Sequence, residues 1–182
     1  MRLFIAIEIP ESVKDALENV SKELQRGVAT LVKREAYHIT LQFLGDVDDS
    51  NLGLVKESIS NACRGVSPFE VEIKGLSHFG GHSPRVLFAN VAKGSDMVNY
   101  IYSNISVELS KNRIDFAKEE RYTPHVTIAR IKSHKVSDEV HGLETEYSAQ
   151  SFGSFDVTGV SLKGSVLSSN GPSHSLIYEA KF

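Results

Sequence analysis

The sequence predicts an α+β protein built on a duplicated β-α-β-α-β unit. Two pseudo-symmetric lobes of mostly antiparallel sheet would surround a central cleft, with helices outside. Three observations lead there. The stretch Tyr37 to Val47, YHITLQFLGDV, has an echo at Tyr122 to Lys132, YTPHVTIARIK, with His38 and His125 standing 87 residues apart. Phe69-Glu70-Val71 and Phe155-Asp156-Val157 are related by a nearly equal offset of 86. The element order read from hydrophobic periodicity, strand-helix-strand-helix-strand-strand, then returns as helix-strand-helix-strand-strand. No linker, charge block or low-complexity stretch parts the halves, so residues 1–182 read as one bilobal domain with an internal repeat over roughly 1–92 and 93–182.

Taken in order, Leu3, Ile5, Ile7 and Ile9 alternate with Arg2, Phe4, Ala6 and Glu8, a strand ended by Pro10. Glu11 or Ser12 caps a helix reaching about Arg26, because Val13, Leu17, Val20 and Leu24 recur at helical spacing and Gly27 stops it. Residues 31–34 form a short strand leading into the first His-x-Thr strand, 38–44, which Gly45-Asp46 ends. Asp48-Asp49-Ser50 opens a second helix carrying Leu52, Val55, Ile59 and Cys63 on its apolar stripe, closed by Gly65. Phe69 to Ile73 alternates again, and Gly80 to Pro84 turns it into a hairpin strand, 85–91. Val98, Ile101, Ile105 and Leu109 define a third helix from Ser95 to about Asn112, and a charged loop, 118–121, leads to the second His-x-Thr strand. A weaker helix from Ser137 to about Tyr147 has only Val140 and Leu143 as evident core residues. Strands follow from Phe155 and over 176–182, with a Ser/Gly/Pro turn at 168–173 between them.

Hydrophobic residues at 41% and charged residues at 24% exclude disorder, coiled coil and collagen. A net charge of -3 argues against an extended surface for long nucleic acid, while leaving room for a local basic pocket. The run Leu3 to Ile9 is short, carries Glu8 and stops at Pro10, so it reads as a strand rather than a signal peptide or membrane span. The lone cysteine, Cys63, fits a reducing compartment and a buried helix position; its neighbours Asn61, Ala62, Arg64 and Gly65 offer no activating base. A cytoplasmic monomer without a membrane partner is expected.

In the first motif, period two sets Ile39, Leu41 and Phe43 on one face and His38, Thr40 and Gln42 on the other. A histidine and a hydroxyl two residues apart therefore project the same way, twice. Imidazole titrates nearest neutrality, so a facing pair can hold one neutral and one protonated ring. Cleavage of a phosphodiester needs such a base for the entering oxygen and an acid for the departing one, and predicts a bell-shaped pH profile near neutrality. Thr40 and Thr127 can donate to the non-bridging oxygens, and Arg130 would add a fork-shaped donor. Strict alternation puts Arg130 on the dry face, so a bulge or strand end is required to bring it round; Phe43, in the matching place, is expected to stay buried. A lone His-x-Thr in a strand is usually a structural pair. Here the pair is duplicated opposite a fully apolar face, where packing requires no histidine, and His38 and His125 are expected to project into one cleft.

His38-Ile39-Thr40-Leu41 and His125-Val126-Thr127-Ile128, with FLG after the first and AR after the second, resemble the two signature motifs of the two-histidine phosphoesterase superfamily. Together with the opening Leu3 to Ile7, Pro10 and the length, the whole chain is similar to its RNA 2′,3′-cyclic phosphodiesterase branch, the LigT or ThpR family, historically called 2′-5′ RNA ligase. The resemblance implies a bilobal fold and metal-free, cofactor-free hydrolysis of a 2′,3′-cyclic phosphate to a 2′-phosphomonoester. It implies His38 as proton donor, His125 as acceptor, and an RNA end or small cyclic-phosphate nucleotide as partner. Reversible 2′-5′ ligation and non-catalytic binding of RNA ends are the alternatives. The intact histidine pair favours catalysis, since a pure binder would gain more from Arg or Lys.

The remaining candidates are less informative. His78 and His82 have i, i+4 spacing, but Gly80-Gly81 make a turn between them and no carboxylate or cysteine completes a metal set, so a solvated loop is expected. His134, His141 and His174 read as surface residues. Tyr37, Tyr122, Phe4 and Phe88 are candidates for a ring that stacks on a terminal base, although core packing is the expected role of each phenylalanine. Lys33, Arg34, Arg85 and Arg121 are candidates for the cleft rim.

Overall fold

The computed structural model describes residues 1–24, 29–132, 137–168 and 171–182. The first strand, β1 (Arg2–Glu8), is followed by α1 (Glu11–Ser21), a short β2 (Ala29–Leu31), β3 (His38–Asp46) and α2 (Leu52–Ala62). Then come the hairpin β4 (Phe69–Phe79) and β5 (Val86–Val91), α3 (Ser95–Lys111), β6 (His125–Ile131), α4 (Ser137–Glu146), and β7 (Ser151–Val157), β8 (Gly159–Ser168) and β9 (Gly171–Lys181). Pro10, in extended conformation, starts α1 without a side-chain cap, and a single 3-10 turn at Asp49–Asn51 precedes α2. The predicted stop at Gly27 and the predicted surface residue His134 lie outside the described residues.

The strands join in the order β7-β4-β5-β6-β3-β1-β8-β9, with β2 added to β6, and every described pairing is antiparallel. The order is symmetric about the β3/β6 junction. The two His-x-Thr strands meet at the centre, β1 and β5 flank them, and β8 and β4 come next. The fold is α+β, as the hydrophobic periodicities require. The pairing corrects one half of the predicted repeat. Phe69-Glu70-Val71 and Phe155-Asp156-Val157 are not counterparts in opposite lobes, because they pair with each other, Phe69 across from Val157 and Val71 across from Phe155. The strand that answers β4 on the other side is β8, whose Gly/Ser-rich sequence carries no matching pattern.

Helices cover one face of this sheet. α2 packs on α3, α3 on β3, α1 on β6 and β7, and α4 on β4. The apolar stripes are buried as periodicity predicts, including Val13, Leu17, Val55, Ile59, Val98, Ile101, Ile105, Leu109 and Val140. Cys63 is buried as well, and burial pushes its thiol up to about 11, which leaves it an inert packed residue. Among the described residues no helix is long and apolar enough to cross a membrane.

At the junction, β3 and β6 pair only through Ile39 and Val126, both fully buried. Beyond that point the two edges part. β2 takes the free edge of β6, and the backbone N–H of Ala117 donates to the Phe43 carbonyl on β3 at 2.8 Å. Ile39→Ala removes the larger half of this contact and is expected to cost about 2–5 kcal/mol of stability, read from urea unfolding with an unchanged m-value.

Candidate active site

The junction register brings the two motifs together. In an antiparallel pair the residue before one partner lies across from the residue after the other, so the Ile39/Val126 pair sets His38 toward Thr127 and Thr40 toward His125. All four side chains are half-buried. The two histidines lie close enough that a proton on His125 disfavours one on His38.

Each motif carries the same break in register. On β3, Ala6 pairs with Thr40 and Ile5 with Gln42, which leaves Leu41 as the extra residue. On β6, Phe88 pairs with Thr127 and Leu87 with Ala129, which leaves Ile128 as the extra residue. An inserted residue reverses the facing of everything beyond it. Arg130 therefore turns to the face of His125 and Thr127, where it is exposed and its charge lowers the proton affinity of His125. Phe43 does the opposite of what alternation predicts, being 48% exposed, while Gln42 is buried and donates through Nε2 to Ser106 Oγ at 3.0 Å.

Aromatic rings floor the site symmetrically. Phe4 on β1 stands 4.9 Å from the His38 ring, and Phe88 on β5 stands 4.9 Å from His125. Both are buried, so the accessible rings are Phe43 and Phe79, the latter 5.0 Å from His125. Of the other aromatic candidates, Tyr37 is buried and donates to Ser21 Oγ at 3.2 Å, so it belongs to the core. Tyr122 stacks on Tyr102 at 3.9 Å and donates its hydroxyl to the Thr40 carbonyl at 2.8 Å, tying the approach to β6 onto β3.

Two sequence expectations about histidines fail. His174 is not a surface loop residue; it lies on β9, half-buried, with its ring 5.5 Å from His38 and 4.8 Å from Phe4. The Ser/Gly/Pro-rich run before it conceals the hairpin of β8 and β9, so periodicity carried no signal there. Nor is His78 in a solvated turn. It lies on β4, with Nδ1 2.7 Å from Glu144 on α4, and His141 stands beside it. The carboxylate that sequence proximity failed to supply comes from a helix 66 residues away. Arg34, a rim candidate, is engaged by Glu11 and by Asp15 at 2.6 Å, whereas Arg85 and Arg121 are exposed.

The electrostatics separate the two central histidines. Burial carries His38 down to about 3, helped by the positive forms of His174 and Lys163. Lys163 is 9% exposed and donates to Glu8 Oε1 at 2.6 Å. The Ala36 backbone pulls the other way, and Nδ1 is buried and closes no hydrogen bond. His125 is also lowered by burial, yet its Nδ1 donates to the Thr123 carbonyl at 2.7 Å, and Glu119 adds a favourable charge. The Thr123 bond fixes the tautomer and leaves Nε2 as the lone-pair nitrogen. Burial thus favours the neutral form of both rings.

Paired His-x-Thr strands at the seam of a symmetric antiparallel sheet define the class as a phosphoesterase of the two-histidine kind. Residues 7–88 and 103–174 match the LigT like Phosphoesterase family, and the chain belongs to that family. Similar proteins named RNA 2′,3′-cyclic phosphodiesterase occur in Thermotoga maritima, 33% identical over 100% of this chain and 96% of that protein, and in Methanocaldococcus jannaschii, 32% identical over 98% and 99%. Among solved structures, TT0787 of Thermus thermophilus superimposes with a TM-score of 0.79 at 25% identity, covering 100% of this chain and 97% of that one. Escherichia coli LigT complexed with 3′-AMP shares the fold with a TM-score of 0.75 at 17% identity, covering 99% and 96%.

The lowered histidines carry a stability consequence. A group whose folded pKa lies below its unfolded value binds fewer protons in the native state, so the unfolded state gains as pH falls. For His38 the window runs from about 6.5 in the unfolded chain down to about 3. Unfolding free energy measured by urea titration should decline as pH drops through that window, and His38→Asn should make the decline shallower.

Proposed function

We propose that this protein hydrolyses a terminal 2′,3′-cyclic phosphate on RNA, or on a small nucleotide, to a 2′-phosphomonoester. His125 acts as the base, His38 as the acid, and no metal takes part in the step. The observation that carries this reading is the pair of imidazoles on adjacent strands at one seam, held in different proton environments. Similarity to full-length relatives named for that activity supports it.

The arrangement performs the step in a defined order. Nε2 of His125, left free by the Thr123 bond, takes a proton from water as the water oxygen attacks phosphorus. The bond from phosphorus to O3′ breaks on the opposite side, and His38 supplies the proton that O3′ requires. The product carries a 2′-phosphate and a free 3′-hydroxyl. Thr40, Thr127 and Arg130 hold the non-bridging oxygens, whose charge must stay fixed during displacement. His38 releases its proton readily because burial and the Lys163 charge disfavour it, whereas the imidazolium formed on His125 is supported by Thr123 and Glu119. Environments that push two like groups apart are the mark of divided acid and base roles. The exposed Phe43 and Phe79 rings offer stacking surfaces for the terminal base.

The test is incubation of the purified protein, with EDTA, with a short RNA ending in 2′,3′-cyclic phosphate. Conversion to the 2′-phosphate is expected, and either alanine variant of His38 or His125 should slow it by about 10²–10⁴-fold. Activity lost to the chelator and restored by a divalent ion, or a 3′-phosphate product, would refute the mechanism. RNA joining would show ligation, and tight binding without turnover a non-catalytic module. A 2′-nitrophenyl phosphodiester, whose leaving group needs no proton, should rescue His38→Ala and not His125→Ala; the reverse pattern means the roles are exchanged.

The pH profile of kcat/KM should be a bell whose centre lies on the acid side of the ordinary imidazole value near 6.5. Its two limbs are macroscopic values of the coupled pair, and both groups are lowered. An anionic phosphate beside the rings favours their charged forms, so the kcat bell should move to higher pH. A kcat/KM bell centred well above neutrality would contradict the electrostatics.

A further inference from the structure

We propose that His78, His141 and Glu144 form a binding site for one divalent transition-metal cation of the zinc class, on the helix-covered side of β4. Their ligating atoms all lie within 4.8 Å of one another. Among the described residues this is the one group of three such side chains able to share a cation, and it is separate from the catalytic cleft. Ser77 pairs with Phe88, which floors the cleft, and Phe79 touches His125. His78, between them, points to the opposite face, where α4 packs on β4.

The hydrogen bonding prepares His78 as a ligand. Its Nε2 lies 2.7 Å from the Gly81 carbonyl, which can only accept, so the ring proton belongs on Nε2. Nδ1 then presents its lone pair, 2.7 Å from a Glu144 oxygen. A proton satisfies two electron-rich atoms at that distance, and a metal ion would replace it and spread the pair. A ring nitrogen donating to a backbone carbonyl while its partner ligates is the usual second layer of a metal-bound histidine. A proton bridging His78 and Glu144 would satisfy those two groups and leave His141 without a role, although its ring stands edge-on at 5.2 Å. A metal uses all three.

The donor set selects the class of ion. Two imidazoles and one carboxylate suit zinc, cobalt, nickel or copper better than magnesium or calcium, which prefer all-oxygen shells. Tetrahedral ligands about 2.1 Å from zinc lie about 3.4 Å apart, so on binding the His78–Glu144 pair must open from 2.7 Å and the widest separation must close. His141 is exposed and can supply that movement, while water fills the fourth position. His141 and Glu144 stand one turn apart on α4, and β4 runs close beneath its end, where Gly75 donates to the Gln150 carbonyl at 2.9 Å. The cation would clamp α4 to the strand whose other face carries Phe79, next to His125.

The site and the hydrolytic reading are independent, and the test keeps them apart. The full chain, stripped with chelator, is titrated with zinc chloride by calorimetry and native mass spectrometry, and with cobalt chloride by visible absorption. One equivalent should bind, with tetrahedral cobalt bands, and should raise Tm. His141→Ala, at an exposed position that leaves the fold intact, and Glu144→Gln should each weaken affinity by more than the roughly 10- to 100-fold that loss of an outer hydrogen bond costs. Both should abolish the rise in Tm. His38→Ala, His125→Ala and His174→Ala should bind as the parent does. Absence of binding in the parent overturns the proposal, as does binding that survives both His141→Ala and Glu144→Gln or vanishes with a cleft histidine.

Discussion

The pairing of Ile39 with Val126 is the constraint on which the site depends. It is the single point where the two central strands bond, and it fixes how two histidines and two threonines approach one another. Three hydrogen bonds from outside the strands hold it in place. Tyr122 donates to the Thr40 carbonyl, Val32 to Ile128 and Ala117 to Phe43. Each reaches a motif residue or its immediate successor, so neither strand can slide without breaking backbone bonds to a third segment. Side chains placed on strands braced in this way are positioned more firmly than loop residues would be. Beyond Ile39 and Val126 the edges of the two strands part.

The twin bulges turn one repeated backbone into two different half-sites. Leu41 and Ile128 are inserted at equivalent places, and each reverses the strand beyond it toward the cleft. What arrives there differs: an exposed phenylalanine on one side and an exposed arginine on the other. The repeat supplies symmetry of geometry, and two residues at the matched positions remove symmetry of chemistry.

Most of the fold was legible because burial writes a period into sequence. Leu17, Val55, Ile105 and their neighbours announce helices at the right places, and Ile39 and Val126 announce strands. The duplicated His-x-Thr pair was legible because duplication is visible without a structure. The misses share one physical cause, that sequence period stops predicting facing wherever register breaks or contacts are remote. Phe43 and Arg130 lie past a bulge, and nothing in LQF or IAR marks the extra residue. His174 reaches His38 through the β8/β9 hairpin, whose small polar residues carry no alternation to follow. Glu144 meets His78 through tertiary packing of α4 on β4. The offset of 86 between the Phe69 and Phe155 stretches was real in sequence yet misleading in space, since two similar strands that share a sheet can pair with each other.

The difference between the two histidines has a cost that the substrate must meet. On the proposed reading the productive enzyme has His38 charged and His125 neutral, yet the unoccupied site disfavours the charge on His38 more strongly. The required protonation state is therefore a minor one. An anionic phosphate seated between the rings offsets that penalty, because its charge favours a proton on the nearer imidazole and replaces the water that burial excluded. Lys163 and His174 oppose this if both are positive, but Glu8 holds the Lys163 ammonium at 2.6 Å and dampens its field at His38. Burial lowers His174 too, so at neutral pH it packs against His38 as a neutral ring. On this reading the two imidazoles are neutral on their own, and with an anionic phosphate between them His38 holds a proton that it is disposed to lose. That proton is the one the departing ribose oxygen needs.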